Sequence, residues 1–283
     1  MCIRDSGKRL DILEALARYG YLTPQQIQRL GIYGDKASLY AALRSLKGLG
    51  LASGTAPQSR PGEGRFPGVY ALTPKGAEHV GLALDELVLP LRGARPGGPP
   101  LDVEHRTAIV DCHIALDAWA ATAGHTVGHF LPDFARSTRK GRRATAITTG
   151  SGDYCADALA WLDGADGVRR PLVLEVYRGG VRERPGYLLK KLPEDLRHVA
   201  TDEVRGWFAK GYTGKLSALR LLVVTATPAL RDVVLAKPPV PELPAWRVTY
   251  LKSLDEVAVD FGAGWWRMGG RQEPLIPQAS PAT

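Results

Sequence analysis

LYAALRSLKGLGLAS, from Leu39 to Ser53, decides how the first part of this chain is read. Leu39, Leu43 and Leu46 recur at helical spacing and fall on one narrow face, which predicts a helix over Lys36 to Gly48 packed on that side. The opposite face carries Ala37, Tyr40, Ala41, Arg44 and Lys47. Small residues there let a backbone approach a groove, and arginine and lysine supply phosphate and guanine contacts. A helix built this way suits the major groove of duplex DNA. A solvated basic face on an ordinary helix has the same composition, so the flanking sequence has to separate the two.

Downstream, Leu49-Gly50-Leu51 leads into a short strand, and a Gly/Pro-rich loop from Gly54 to Pro67 carries Arg60 and Arg65. A second strand, Val69 to Leu72, returns, and Thr73-Pro74 opens a further helix. Upstream, Leu10, Leu13, Leu16 and Ala17 predict a helix over Lys8 to Tyr19 that Gly20 ends. Thr23-Pro24-Gln25-Gln26 is a capping box with proline at the first helical position, and Ile27 and Leu30 give that second helix its buried side before Gly31. The order helix, helix, helix, hairpin, helix, with GLGLAS and YALTPKG at the hairpin ends, resembles winged helix-turn-helix regulators. The resemblance implies a recognition helix presenting Tyr40, Arg44 and Lys47. It also implies a wing whose tip, with Arg60 and Arg65, reaches a phosphate or the minor groove.

The chain has 283 residues, enough for two domains, and a formal net charge of +8 with a sequence pI near 9.5, a balance that suits an anionic partner such as DNA. No run approaches the ~20 apolar residues of a membrane helix. The start is polar, without the pattern of a signal peptide, so no membrane partner is expected and the cytoplasm is the expected compartment. Cys2, Cys112 and Cys155 are too few and too scattered for a disulfide framework. Met1 to Ser6 reads as translated adapter sequence, so Cys2 is given no role.

VLPLRGARPGGPP, Val88 to Pro100, has the composition of a linker. It sets the expected organisation: a winged-helix domain over 7–84, a linker over 85–101, a second domain over 102–268 and a disordered tail over 269–283. The second domain reads as a long helix from Asp102 to Ala123 and a strand from Thr126 to Leu131. A basic run, Ala135 to Arg143, reads as a solvated loop. A hairpin follows: Cys155 to Leu162, a turn at Asp163 to Gly167, then Pro171 to Tyr177. Next come helices over Gly186 to Leu192 and Glu194 to Phe208, a strand over Leu219 to Thr225, a helix opened by Thr227-Pro228, and a last strand over Trp246 to Leu251. The class is α/β with a mixed sheet.

Asp157 and Glu175 interrupt the two apolar runs of the hairpin. A carboxylate on a buried strand is costly unless it is paired or binds a cation. Adjacent hairpin strands can bring the two together, and such a pair can hold Mg2+ and activate water against a phosphodiester. This is the layout of PD-(D/E)xK nucleases. In that pattern a lysine stands two residues after the second acid, where this chain has Tyr177, and a proline precedes the first acid, where it has Ala156. Lys190 or Lys191, on the next helix, is the candidate replacement for the lysine. A structural ion pair of Glu175 with Arg178 or a helix lysine is the alternative. His105, Cys112 and His113 share a helix but lack the paired ligand spacing of a zinc site, and a hairpin turn accounts for Asp163 to Gly167 without calcium.

Taken in order, LDILEALARYGYLTPQQIQRL, LYAALRSLKGLGLAS, GVYALTPKGAEHV, EHRTAIVDCHIAL, ADALAWLDG, PLVLEVYRGG, LRLLVVTATPALRD and FGAGWWR resemble the replication-relaxation family of bacterial mobile elements. The resemblance implies a winged-helix DNA binder joined to a nuclease-like α/β domain, associated with plasmid replication, relaxation and mobilisation. The family usually has an acidic residue where this chain has Tyr177, and threonine at Gly180. Three roles are therefore expected. The first is a DNA-binding protein acting in replication, relaxation or transcriptional control; it needs no cofactor and can bind paired half-sites as a homodimer. The second is a metal-dependent endonuclease using Asp157, Glu175 and Lys190 with Mg2+. The third is an accessory protein that recruits a relaxase or replication protein.

Overall fold

The computed structural model describes residues 3–55, 68–84, 102–135, 143–237 and 243–276. The loop that carries Arg60 and Arg65, the expected linker and most of the basic run after Ala135 lie outside the described residues. The chain divides into two compact units, residues 1–110 with 134–138, and residues 111–133 with 139–283.

In the first unit α1 (Ile3–Tyr19), β1 (Tyr21–Leu22), α2 (Pro24–Arg29), α3 (Lys36–Gly48), β2 (Ala52–Thr55), β3 (Val69–Leu72) and α4 (Pro74–Leu84) follow one another. The three strands form an antiparallel sheet in the order β1-β3-β2. The capping box at α2 forms as the sequence predicts: Thr23 Oγ1 accepts from the Gln26 amide at 3.2 Å, and Gln26 Oε1 accepts from the Thr23 amide at 2.8 Å. Asp35 caps α3 through the Ser38 amide at 2.8 Å. Gly50, at φ +70, ends α3 in the left-handed region, and the Leu51 amide turns back to the Leu46 carbonyl at 2.9 Å. This reversal starts the hairpin. Gly76 closes it, because α4 passes so near β2 that a Cβ at Gly76 would overlap the Leu51 carbonyl oxygen.

The next helix, α5 (Val103–Thr122), has residues in both units. The second unit continues with β4 (His125–Pro132), β5 (Ala146–Thr149), β6 (Gly152–Cys155), β7 (Ala158–Gly164), β8 (Val168–Tyr177), α6 (Pro185–Val199), α7 (Asp202–Ala209), β9 (Lys215–Leu216), β10 (Arg220–Thr225), α8 (Pro228–Ala236), β11 (Thr249–Ser253), α9 (Leu254–Val259), β12 (Trp265–Arg267) and β13 (Gln272–Glu273). Its main sheet runs β13-β12-β11-β10-β8-β7-β4, with β9 on β8. The strands β8, β10 and β11 are parallel, with helices in the crossovers, and the remaining pairs along this order are antiparallel. The protein is therefore mixed α/β. The central parallel strand β10 is a near-continuous apolar run, as a strand covered on both faces requires, and β11 is buried along its whole length although it carries Thr249, Lys252 and Ser253. The buried cluster on the α6 side joins Val173, Leu221, Val223 and Leu251 of the sheet to Leu188, Leu192, Leu196 and Val199 of α6. Each such side chain contributes about 1.5–3 kcal/mol on burial.

Four expectations are corrected. The helix break placed between Leu192 and Glu194 does not occur: α6 runs through Pro193. The lost hydrogen bond is outweighed there by the continuous stripe of buried leucines on both sides. Trp246 lies in a 3-10 turn, Pro244–Val248, and the strand begins only at Thr249. Residues 269–276 are not all tail, since β13 pairs with β12. Finally, β7 starts at Ala158, and Cys155 belongs instead to the separate β5–β6 hairpin.

Candidate functional site

Two groups of residues stand out, one in each unit. In the first, α3 separates its faces cleanly. Leu39, Ala42, Leu43 and Leu46 are buried, whereas Ala37, Tyr40, Ala41, Arg44 and Lys47 are exposed. Tyr40 is 40% exposed, a large aromatic with no core to fill on that side. The surface continues onto the sheet. Gly54 of β2 is bare where a Cβ would meet the Tyr70 ring, and Lys47 lies beside the same position. Burial, with Tyr40 adding, raises the Tyr70 hydroxyl above its ordinary pKa, and Arg44 opposes the rise, so Tyr40, Arg44 and Tyr70 share one patch. Arg9 of α1 donates to Ser45 Oγ at 2.9 Å, fixing the flank of α3. The result is an exposed helix face with two cations, a tyrosine and two alanines, next to an antiparallel strand pair.

In the second unit the hairpin places Asp157 one step beyond the Ala158–Leu174 pair, which is opposite Glu175. Asp157 Oδ2 accepts from the Val176 amide at 2.7 Å. Glu175 lies on the α6 side of β8 with Val173 and Tyr177 and is 6% exposed. Tyr154 donates its hydroxyl to Glu175 Oε1 at 2.6 Å. Burial, reinforced by Asp195 and Asp157, pushes Glu175 well above the ordinary carboxylate range, against the Tyr154 bond and Lys191. The strand alternation that turns Glu175 inward sends Arg178 elsewhere, and it pairs with Glu183 at 3.3 Å.

Helix α6 brings further groups that sequence reasoning missed or left open. Asp195, 1% exposed, accepts the Tyr177 hydroxyl at 2.9 Å and pairs with Lys191 at 2.8 Å. Its pKa is raised by burial, with Lys191 and Tyr177 opposing. Burial works against the charge on Lys191, but its bond to Asp195 and the field of Asp195 and Glu175 outweigh it, so the ammonium is held. Of the two lysines considered, Lys191 stands among the acids, and Lys190 is exposed on the far side of the turn. The signal for Asp195 was available: it falls on the apolar stripe of Leu188, Leu192 and Val199, an acid at a core position of a helix, just as Asp157 and Glu175 interrupt strands. Tyr154 also stacks on His198, with ring centroids 5.3 Å apart.

The oxygens of Asp157, Glu175 and Asp195 are the hard donors that Mg2+ takes. Each of these carboxylates already accepts a hydrogen bond, and the burial of Glu175 favours its protonated form. The donor chemistry fits a hard cation, and the protonation does not. Among the described residues no group of three or more His, Cys, Asp and Glu is gathered as a metal site. Of the histidine–cysteine trio on α5, Cys112 is fully buried, and His113 stacks on Phe130 at 3.9 Å and faces Asp117 at 3.6 Å. No described helix is long and apolar enough to cross a membrane.

A family model described as Replication-relaxation matches residues 13–181 of the chain. The match takes in the α3 face, Asp157 and Glu175, and stops before α6 supplies Lys191 and Asp195. No curated protein and no solved structure matches the chain.

Proposed function

This chain belongs to the replication-relaxation family, and from that premise we propose that it binds double-stranded DNA on a mobile element through a winged helix-turn-helix in its first unit. Helix α3 is the recognition helix, and the loop between β2 and β3 is the wing. The observation that carries this reading is the division of α3. Every residue assigned to the groove face is exposed, every leucine assigned to the core is buried, and a strand pair follows directly. Tyr40, Arg44 and Lys47 make the helix contacts, with Arg44 reaching a base edge and Lys47 a phosphate. Arg60 and Arg65 supply wing contacts to the backbone. The net charge of +8 supports the same partner.

A second reading, metal-dependent cleavage of DNA, is favoured by one observation: Lys191 lies beside the acid cluster, where a nuclease of this layout needs a cationic group. Asp157 and Glu175 would hold Mg2+, which supplies charge neutralisation at the phosphate and an acidified water. Lys191, already bonded to Asp195, would have to turn from it to reach a substrate. The buried, tyrosine-bonded state of Glu175 favours binding over cutting.

One experiment separates the two readings. The full chain is incubated with supercoiled and linear DNA, with and without Mg2+ or Mn2+. Retarded but intact DNA, independent of metal, is the expected result. Metal-dependent nicking that disappears in Asp157→Ala and in Glu175→Ala, with folding intact, promotes the nuclease reading. Absence of retardation at low salt contradicts the proposal.

A further inference from the structure

At one end of the main sheet, the β12–β13 turn and the 3-10 turn Pro244–Val248 border an open depression of about 490 Å3, lined by Arg247, Arg267, Met268, Gly269, Gly270 and Arg271. Sites for small ligands run to roughly 300–1,000 Å3. Among the described residues the lining has three arginines and no acid. Two arginines elsewhere in the same unit are paired at contact: Arg169 lies 2.8 Å from Asp163, and Arg231 lies 2.8 Å from Asp232 and also pairs with Glu256. Here Glu273 is the nearby acid, 3.6 Å from Arg267 and 3.8 Å from Arg271, beyond hydrogen-bonding distance. Among the described residues no carboxylate pairs with Arg247. Arg271 is 83% exposed at its side chain, so solvent reaches its charge despite the Glu273 pair.

The arrangement is held before any ligand arrives. Arg267 Nε donates to the Arg247 carbonyl at 2.9 Å, which ties the two walls together. The turn is closed by the Arg267 amide on the Arg271 carbonyl at 3.0 Å and by the Gly270 amide on the Arg267 carbonyl at 3.1 Å. Gly269 and Gly270, at φ +99 and +130, take a backbone path that other residues rarely adopt and leave that wall bare of side chains. One braced guanidinium, Arg267, with Arg247 and Arg271 on the same lining, matches an anion with several acceptor oxygens and more than one bond direction. That description fits a phosphate group better than a single carboxylate.

We propose that this pocket binds a phosphate group. The group can belong to a nucleic-acid backbone or to a free phosphate compound. The backbone source rests on the DNA-binding reading above, and the free source does not.

The test uses the full chain and the double variant Arg247→Gln/Arg271→Gln. Both positions are exposed, and Arg267, which braces the turn, is left in place. Arg205→Gln, an exposed arginine on α7, is the control. Calorimetric titration in chloride buffer uses inorganic phosphate and pyrophosphate as probes, and a short duplex is titrated separately by fluorescence anisotropy. A single site is expected, weakened at least tenfold in the double variant and unchanged in the control. If duplex affinity also falls several-fold and the salt slope drops by about one to two, the phosphate belongs to the nucleic-acid backbone. If only the inorganic probes lose affinity, the ligand is a free phosphate compound. If neither titration distinguishes the double variant from wild type, the pocket binds no phosphate and the proposal is overturned. Failure of duplex binding in every protein, with pyrophosphate binding intact, sinks the DNA-binding reading and leaves the pocket standing.

Discussion

Glu175→Gln should stabilise the second unit at neutral pH, and by an amount that grows as pH rises. Glu175 is 6% exposed, and burial with Asp195 and Asp157 nearby holds its folded pKa well above the ordinary 4.5. Between those two values the folded state keeps a proton that the unfolded chain has released. The stabilisation from that proton is fully present below the unfolded value and is lost as pH rises through the window. Inside that window the loss through this one group is at most about 1.4 kcal/mol per pH unit. Glutamine never ionises, and its Oε1 can accept the Tyr154 hydroxyl as Glu175 does. Asp195 titrates with Glu175, so the difference between the proteins reports the pair with and without the Glu175 carboxylate. All six tryptophans, at 119, 161, 207, 246, 265 and 266, lie in the second unit, so urea unfolding followed by tryptophan fluorescence reads that unit alone. The two proteins should unfold alike near pH 4 and separate as pH rises above it, with the variant the more stable. A variant that is less stable at pH 8, or a difference that does not vary with pH, refutes the argument, because it means Glu175 is ionised in the fold and paired with Lys191.

Lys191→Met removes the cation that faces two buried acids. It should cost about 1–2 kcal/mol at pH 7, scaled down from a fully buried pair because Lys191 is half exposed; the same fluorescence assay reads it. Gly76→Ala drives a methyl group onto the Leu51 carbonyl oxygen and should destabilise the first unit by about 1–3 kcal/mol, seen as a lower helix-melting temperature by circular dichroism, with the tryptophan signal unmoved. Leu43→Ala, which empties a fully buried position beneath α3, should cost about 2–5 kcal/mol in the same measurement.

The parts of the fold that follow from local chemistry were legible in the sequence. The capping box at Thr23, the Lys36 to Gly48 helix and the Thr227-Pro228 helix start all depend on residues a few positions apart, and they form where expected. The parts that depend on partners were not. Tyr21 and Leu22 form a strand only because β3 offers an edge to pair with. Pro193 stays inside a helix because leucines on either side are already committed to the core. In the acid cluster, strand alternation was enough to place Glu175 inward and Arg178 away. The choice of Lys191 over Lys190, and the entry of Asp195, depended on the rotation of α6 against the sheet, which strand patterns do not contain. The same helical stripe argument applied to LLKKLPEDLRHV would have found Asp195.

The central claim is that the exposed face of α3 reads DNA. Its most direct measurement is the affinity of the full chain for duplex DNA over a range of salt, by fluorescence anisotropy, for wild type and for Tyr40→Ala/Arg44→Ala/Lys47→Ala. These three side chains lie outside the core, so the variant should melt as wild type does. Loss of one base contact and one phosphate contact predicts at least a tenfold drop in affinity on the preferred site and a salt slope shallower by about one. Unchanged affinity and slope in a folded triple variant would contradict the account and move DNA contact, if any, away from α3.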